Sequence, residues 1–199
     1  MTISTMWCRA YGVLAATSVL AACGDAGEGA TDAGGGSAAR PALAAVTDGK
    51  PKDWAVDVCK TFPVAAASKA SGLAIKETNT SHTNANDTDV GSCTYSGEAY
   101  DELFTVGLRH AHDPDMTVEE QIASVTSEPE ITGPSEEVTM SKGKAVWSPK
   151  LRTLTWVTDP ARMVIVTPPY AVTFGSKPPK LPDAELRANA IAIAKAVEG

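Results

Sequence analysis

Residues 151–167, LRTLTWVTDPARMVIVT, decide the fold class of this chain. The stretch holds two runs rich in β-branched and large apolar residues, Leu151 to Thr158 and Arg162 to Thr167. Asp159-Pro160 lies between them and is typical of a tight turn. The sequence therefore predicts two antiparallel strands joined by a hairpin.

Further strand-like runs precede this hairpin. Ser92 to Ser96 and Glu102 to Ala111 are separated by a turn around Gly97, and Val138 to Met140 leads into Ala145–Trp147. With the hairpin, these runs predict a mainly antiparallel sheet of about five strands.

A helical run begins at Pro63 and stops at Gly72, which are preferred residues at the two ends of a helix. The polar stretch after it, residues 76–89 (KETNTSHTNANDTD), has many turn formers and no periodicity. We therefore expect a loop there.

Two further helices are indicated by capping and periodicity. Thr117 and Glu120 have the spacing of a capping box, which opens a short helix. Asp183 is placed to cap a final helix. The apolar stripes are Val118, Ile122 and Val125 in the short helix and Leu186, Ala190, Ile193 and Val197 in the final one. With an N-terminal, a short middle and a C-terminal helix around an antiparallel sheet, the fold class is α+β.

Residues 1–22 have the features of a secretory leader. Arg9 gives a positive region, and Ala10 to Leu20 supply an apolar region within the usual length of about 7–15 residues. Translation from Met6 instead of Met1 would keep both features. Within the whole chain, no stretch reaches the roughly 18–20 apolar residues of a membrane-spanning helix.

Leu20-Ala21-Ala22-Cys23 ends this leader and resembles the lipobox of bacterial lipoproteins. The resemblance implies that the Cys23 thiol takes a diacylglyceryl group and that the chain is cut before Cys23. The protein would then be exported and lipid-anchored to the cell envelope, on the outer leaflet of the cell membrane or on the outer membrane of a Gram-negative host. The alternative is ordinary signal cleavage beside an incidental cysteine.

Residues 23–50 hold the lipidated Cys23 and a stretch of mostly Gly, Ala, Ser, Asp and Thr. Such a composition cannot bury enough apolar surface to fold, so we expect a flexible linker. Residues 51–199 then form a single extracytoplasmic α+β domain. The net charge of −7 disfavours nucleic acid as a partner.

Cys59 and Cys93 are the two cysteines left in the exported domain, so a disulfide between them is the expected state. A redox-active or metal-binding pair is the alternative, although the sequence offers neither CxxC spacing nor an adjacent histidine.

Three short segments together resemble a family of small actinobacterial lipoproteins of unknown function. They are Val58-Cys59-Lys60 with Gly72, Cys93-Thr94-Tyr95, and Gly143-Lys144-Ala145-Val146-Trp147. The resemblance implies a Cys59–Cys93 bridge and an extracytoplasmic domain, and it supplies no catalytic residues.

His110-Ala111-His112 is the sharpest candidate for chemistry. Residues two apart on a strand face the same way, so both imidazoles could bind one metal ion, completed by His82, Asp113 or Asp115. The same alternation places His110 in register with Phe104, Val106 and Leu108, which indicates instead the half-exposed end of a core-facing strand. A catalytic carboxylate pair drawn from Asp113, Asp115, Glu119 and Glu120 competes with stabilisation of a helix start.

The proline-rich segment Thr167 to Pro182 carries Tyr170 and Phe174. It could present aromatic rings to a partner, or it could be a rigid connection whose aromatics pack on the core. For Trp54, Trp147 and Trp156 we expect core positions.

These observations favour a lipid-anchored envelope protein with a non-catalytic domain that binds another envelope protein or a small ligand. The membrane would be a partner through the lipid on Cys23, and no cofactor is expected. The alternative is a metal-dependent hydrolase that uses His110 and His112.

Overall fold

Two antiparallel meanders lie side by side in one seven-stranded sheet. The computed structural model describes residues 53–173 and 178–199. The order across the sheet is β1-β2-β3-β7-β6-β5-β4, and every neighbouring pair is antiparallel. The strands are β1 (Glu77–Ala85), β2 (Thr88–Ser96), β3 (Leu103–Ala111), β4 (Glu136–Val138), β5 (Lys144–Ser148), β6 (Thr153–Asp159) and β7 (Arg162–Thr167). The α+β class is confirmed, and the expected number of five strands is corrected to seven.

The two additional strands have separate physical causes. β1 lies in the stretch expected to be a loop, and all nine of its residues are exposed, so no apolar alternation marks it. Asn86 and Asp87 join it to β2 in a two-residue hairpin turn. Their φ angles are 51° and 54°, and positive φ at both central residues is typical of such turns. The run from Val138 to Trp147 is two strands because the chain turns at Gly143, where φ is 62°.

The three expected helices are present, accompanied by two of a single turn. The helices are α1 (Val58–Thr61), α2 (Val64–Ser71), α3 (Val118–Thr126), α4 (Pro129–Thr132) and α5 (Asp183–Glu198). α2 ends at Gly72 in the left-handed conformation, and α3 opens with the predicted capping box. Asp183 is the first residue of α5 and not its cap; Pro182 holds that position. The Asp183 carboxylate accepts a hydrogen bond from Trp147 Nε1 at 3.0 Å.

One face of the sheet, which we call the core face, is covered by α1 and α5, and α2 packs against α5. Trp54, Trp147 and Trp156 are at most 2% exposed there, as predicted. The α5 stripe of Leu186, Ala190, Ile193 and Val197 is buried as well. The expected helical spacing therefore corresponds to a packed interface between α5 and the sheet.

Three core-face residues of β2 hold the segment that precedes α2. Gly91 leaves room for the close approach of the Ala55 carbonyl, and Cys93 is bonded to Cys59. The Tyr95 hydroxyl donates a hydrogen bond to the Phe62 carbonyl. Cys59 and Cys93 lie at disulfide distance, with their Cα atoms 5.1 Å apart, in agreement with the predicted pairing.

The opposite face, which we call the outer face, is covered by α3 over β5 and β6. Gln121 of α3 is buried; its side chain accepts from Arg109 Nη1 at 2.9 Å and donates to the Pro160 carbonyl at 2.7 Å. Over β2 the outer face is open, and Val90 is 47% exposed. In the parts of the chain described, no helix is long and apolar enough to cross a membrane.

We expect Gly91→Ala to lower the free energy of unfolding by about 1–3 kcal/mol, because a Cβ there would lie 2.0 Å from the Ala55 carbonyl oxygen. Gly107→Ala is the matched control, since its Cβ would meet Ile165 at an ordinary 3.5 Å. Urea unfolding followed by circular dichroism measures both. Equal stability of the two variants would contradict the close approach of Ala55 to β2.

Candidate functional site

All three histidines of the chain lie at one end of the sheet. His82 is on β1, His110 is on β3, and His112 follows that strand directly. Asp89 of β2 stands opposite Asn84 on one side and His110 on the other. We call these five residues the histidine cluster.

Asp89 is the centre of this cluster. Its buried carboxylate accepts hydrogen bonds from His82 Nε2 at 2.8 Å, Asn84 Nδ2 at 2.9 Å and His112 Nε2 at 2.7 Å. These hydrogen bonds, of which the one from Asn84 has the largest effect, lower the pKa of Asp89 to about 2, although burial acts to raise it. Since an ionised carboxylate only accepts hydrogen bonds, both histidines carry a proton on Nε2.

The predicted metal ligands are brought together only in part. The rings of His110 and His112 are neighbours, with centroids 4.7 Å apart, but the two Nε2 atoms of His82 and His112 bind separate oxygens of Asp89. Asp113 and Asp115 are exposed. Within residues 53–173 and 178–199, no group of three or more His, Cys, Asp or Glu side chains could hold a metal ion. The hydrolase alternative remains a prediction.

Asp89 and Asn84 were not among the candidate residues derived from the sequence. Both fell in or beside the stretch expected to be a loop. The signal that locates them is Asn86-Asp87, two residues that tolerate positive φ. Read as a hairpin turn, this pair places Asn84 opposite Asp89 and leaves His82 two residues away on the same face.

A cavity of about 340 Å³ lies on the outer face, between α3, the α4–β4 connection and β5. Its position follows from the short α4, which Gly133 ends with φ 74°, and from Pro134 directly after it. The walls are mostly apolar: Ile122, Pro129, Pro134, Ala145 and Val146. We call this space the outer-face cavity.

A few polar groups are placed around the outer-face cavity. Ser135 Oγ is buried and has no hydrogen-bond partner among the described residues. Lys144 lines the wall, and its Nζ lies 3.3 Å from Glu119 Oε1. The pKa of Glu119 is lowered, most by a backbone hydrogen bond and next by the hydrogen bond and positive charge of Lys144. The cavity thus combines apolar walls with a charged rim.

The carboxylates considered for acid–base chemistry have other partners. Glu120 Oε2 accepts hydrogen bonds from Thr117 N at 2.8 Å and Thr117 Oγ1 at 2.9 Å, which completes the capping box. Glu119 binds Lys144. Both contacts stabilise α3 and its attachment to the sheet.

The remaining candidates divide between described and undescribed residues. Tyr170 is half-buried and packs against the core, as one of the two interpretations of the proline-rich segment required. Four other predicted features lie outside the described residues: Phe174, the expected lipidation residue Cys23, the expected leader 1–22 and the expected linker 23–50.

Comparisons with protein-family models, curated proteins and solved structures give no match for this chain.

Asp89 gives a prediction for stability against pH. Because its pKa is lowered in the folded protein from 3.8 to about 2, its ionised form stabilises the fold above about pH 4, and this contribution is lost as the pH falls towards 2. Asp89→Asn should therefore cost about 1–3 kcal/mol at pH 6 and progressively less between pH 4 and pH 2.

The measurement is urea unfolding at a series of pH values. Asp87→Asn, an exposed change on the same hairpin, is the control and should unfold like the wild type throughout. A stability difference between wild type and Asp89→Asn that does not change with pH would refute the assignment.

Proposed function

We propose that this chain is an exported protein, anchored to the cell envelope through lipid on Cys23, whose domain binds a small, mainly apolar molecule without changing it chemically. Two observations support export, and the first of them also supports the anchoring. Leu20-Ala21-Ala22-Cys23 follows an apolar leader of suitable length, and the domain contains a cysteine pair at disulfide distance, which suits an oxidising compartment.

The outer-face cavity is the observation that carries the binding function. Its volume of about 340 Å³ falls within the range of about 300–1,000 Å³ found for small-ligand sites. Such sites combine apolar walls with a few polar groups that orient the ligand. Here the apolar part of a ligand would lie against Ile122, Pro134 and Val146, and its polar end would lie near Lys144 and Glu137.

The rim of the outer-face cavity narrows the choice of ligand. Lys144 and Glu137 bring one positive and one negative charge to the lining. A strongly charged molecule would gain from one of these groups and be repelled by the other, so the lining favours a neutral or weakly polar ligand.

We expect Val146→Trp to weaken binding of the neutral probe N-phenyl-1-naphthylamine by at least about tenfold, because an indole at this wall would fill the outer-face cavity. Val90→Trp is the matched control: it adds the same side chain to an exposed position of the same sheet face and should bind as the wild type does. Probe fluorescence gives both affinities.

Ile122→Trp, which fills the same space from α3, serves as a second test if Val146→Trp folds poorly. Probe binding that survives both changes in folded protein would exclude the outer-face cavity as the binding site.

Cys23→Ala should abolish membrane association, because the thioether to the lipid requires the Cys23 sulfur and a lipid chain contributes about 0.8 kcal/mol for each buried CH₂. Cys8→Ala, which removes the cysteine within the leader, should leave the protein in the membrane fraction. Detergent phase partition and labelling with a fatty-acid analogue measure the outcome. Lipid label on Cys23→Ala would contradict the proposal.

A further inference from the structure

Tyr170 has a backbone conformation that tyrosine seldom adopts. Its φ is 63°, in the left-handed region, and its N–H donates to the Asp101 carbonyl at 3.0 Å. Residues held in this region are strained and tend to occur where a side chain must be placed for binding. The conformation places the ring of Tyr170 between two hollows, of about 380 and 580 Å³.

Lys180 occupies the face of the Tyr170 ring. Its Nζ lies 4.7 Å from the ring centroid and 3.5 Å from Asp101 Oδ2. An ammonium group therefore sits on an aromatic face with a carboxylate beside it, which is the arrangement that proteins use to bind organic cations. Lys180 is 58% exposed, so its contact with Asp101 is a weak surface ion pair that a ligand can displace.

The surroundings favour a cation over a neutral or anionic molecule. The smaller hollow is lined by Tyr100, 65% exposed, together with Val172 and Pro178. The larger hollow is lined by Glu98 and Glu102. Among the described residues around Tyr170 there are thus three carboxylates, counting Asp101. The cationic groups described there are the Lys180 ammonium and the Arg152 guanidinium, which donates to Thr173 Oγ1 at 3.5 Å.

We propose that Tyr170, Asp101 and Tyr100 form a binding site for a small organic ammonium ion, and that the ammonium of Lys180 fills this site while no ligand is bound. This ammonium site is separate from the outer-face cavity and shares no lining residue with it. A bound cation would replace Lys180 on the Tyr170 ring and beside Asp101, and Lys180 would move into water.

The test uses the full-length protein in detergent and choline as the probe, observed by saturation-transfer NMR of its methyl protons at low, constant ionic strength. The wild type should bind choline weakly. Lys180→Met, which keeps a side chain of similar length without the charge, should bind about fivefold more tightly because the internal competitor is removed.

Two changes in the Lys180→Met background identify the site. Asp101→Asn and Tyr170→Leu should each weaken choline binding by about fivefold or more, whereas Tyr170→Phe keeps the aromatic face and should retain it. The neutral isostere 3,3-dimethyl-1-butanol should not bind any of these proteins. Val146→Trp should leave choline binding unchanged, so the ammonium site and the outer-face cavity succeed or fail independently.

The proposal is overturned if Lys180→Met binds choline no better than the wild type, or if the neutral isostere binds equally well. It is also overturned if Asp101→Asn and Tyr170→Leu, checked for folding by circular dichroism, both bind choline with unchanged affinity.

Discussion

Alternate residues of β2 attach the N-terminal segment to the core face, and the rest of the domain depends on that attachment. Side chains two apart on a strand point to the same face, so Gly91, Cys93 and Tyr95 present three successive contacts to one passing segment. Gly91 allows the Ala55 carbonyl to approach the strand, and the cysteine pair links the segment to it covalently. The Tyr95 hydroxyl donates a hydrogen bond to the Phe62 carbonyl. Closing a loop of 34 residues by a disulfide contributes roughly 3–4 kcal/mol in the chain-entropy model. Trp54 and Phe62 are carried into the core by this segment.

Strongly periodic elements could be predicted from the sequence, and elements without an apolar face could not. The α5 stripe buries one face of a helix, and the hairpin around Asp159 consists of two mainly buried, apolar runs, so both sequence signals correspond to the structure. β1 is exposed along its whole length, and its composition therefore resembles a loop. The candidate site was affected in the same way: His110 and His112 were found, while Asp89, which binds His112, was missed because its hairpin was not recognised. The outer-face cavity depends on how α3 and α4 pack against β5, which no local pattern encodes.

The two faces of the sheet explain why a cavity forms where it does. The core face is covered by α5 and by the segment around α1 and α2, whose buried side chains form one apolar cluster. The outer face is covered by α3, which Gln121 fastens to the Arg109 side chain and the Pro160 carbonyl. α4 then ends after one turn at Gly133, and the chain crosses to β4 without filling the space above Val146. In the proposed binding function, walls held by such contacts would reduce the entropy lost when a ligand binds.

The histidine cluster has a role that needs no metal and no reaction. A strand that is polar on both faces has a weakly specified register, because slipping by one residue exposes nothing apolar. Asp89 removes this ambiguity, since it accepts hydrogen bonds from His82 and Asn84 of β1 and from His112 after β3. A one-residue slip of β1 would turn both of its donors to the other face and leave a buried carboxylate with fewer partners, which costs more than the loss of an exposed hydrogen bond. At the polar end of the sheet, the cluster therefore selects a single pairing of β1, β2 and β3. Apolar packing sets the register of the other strands.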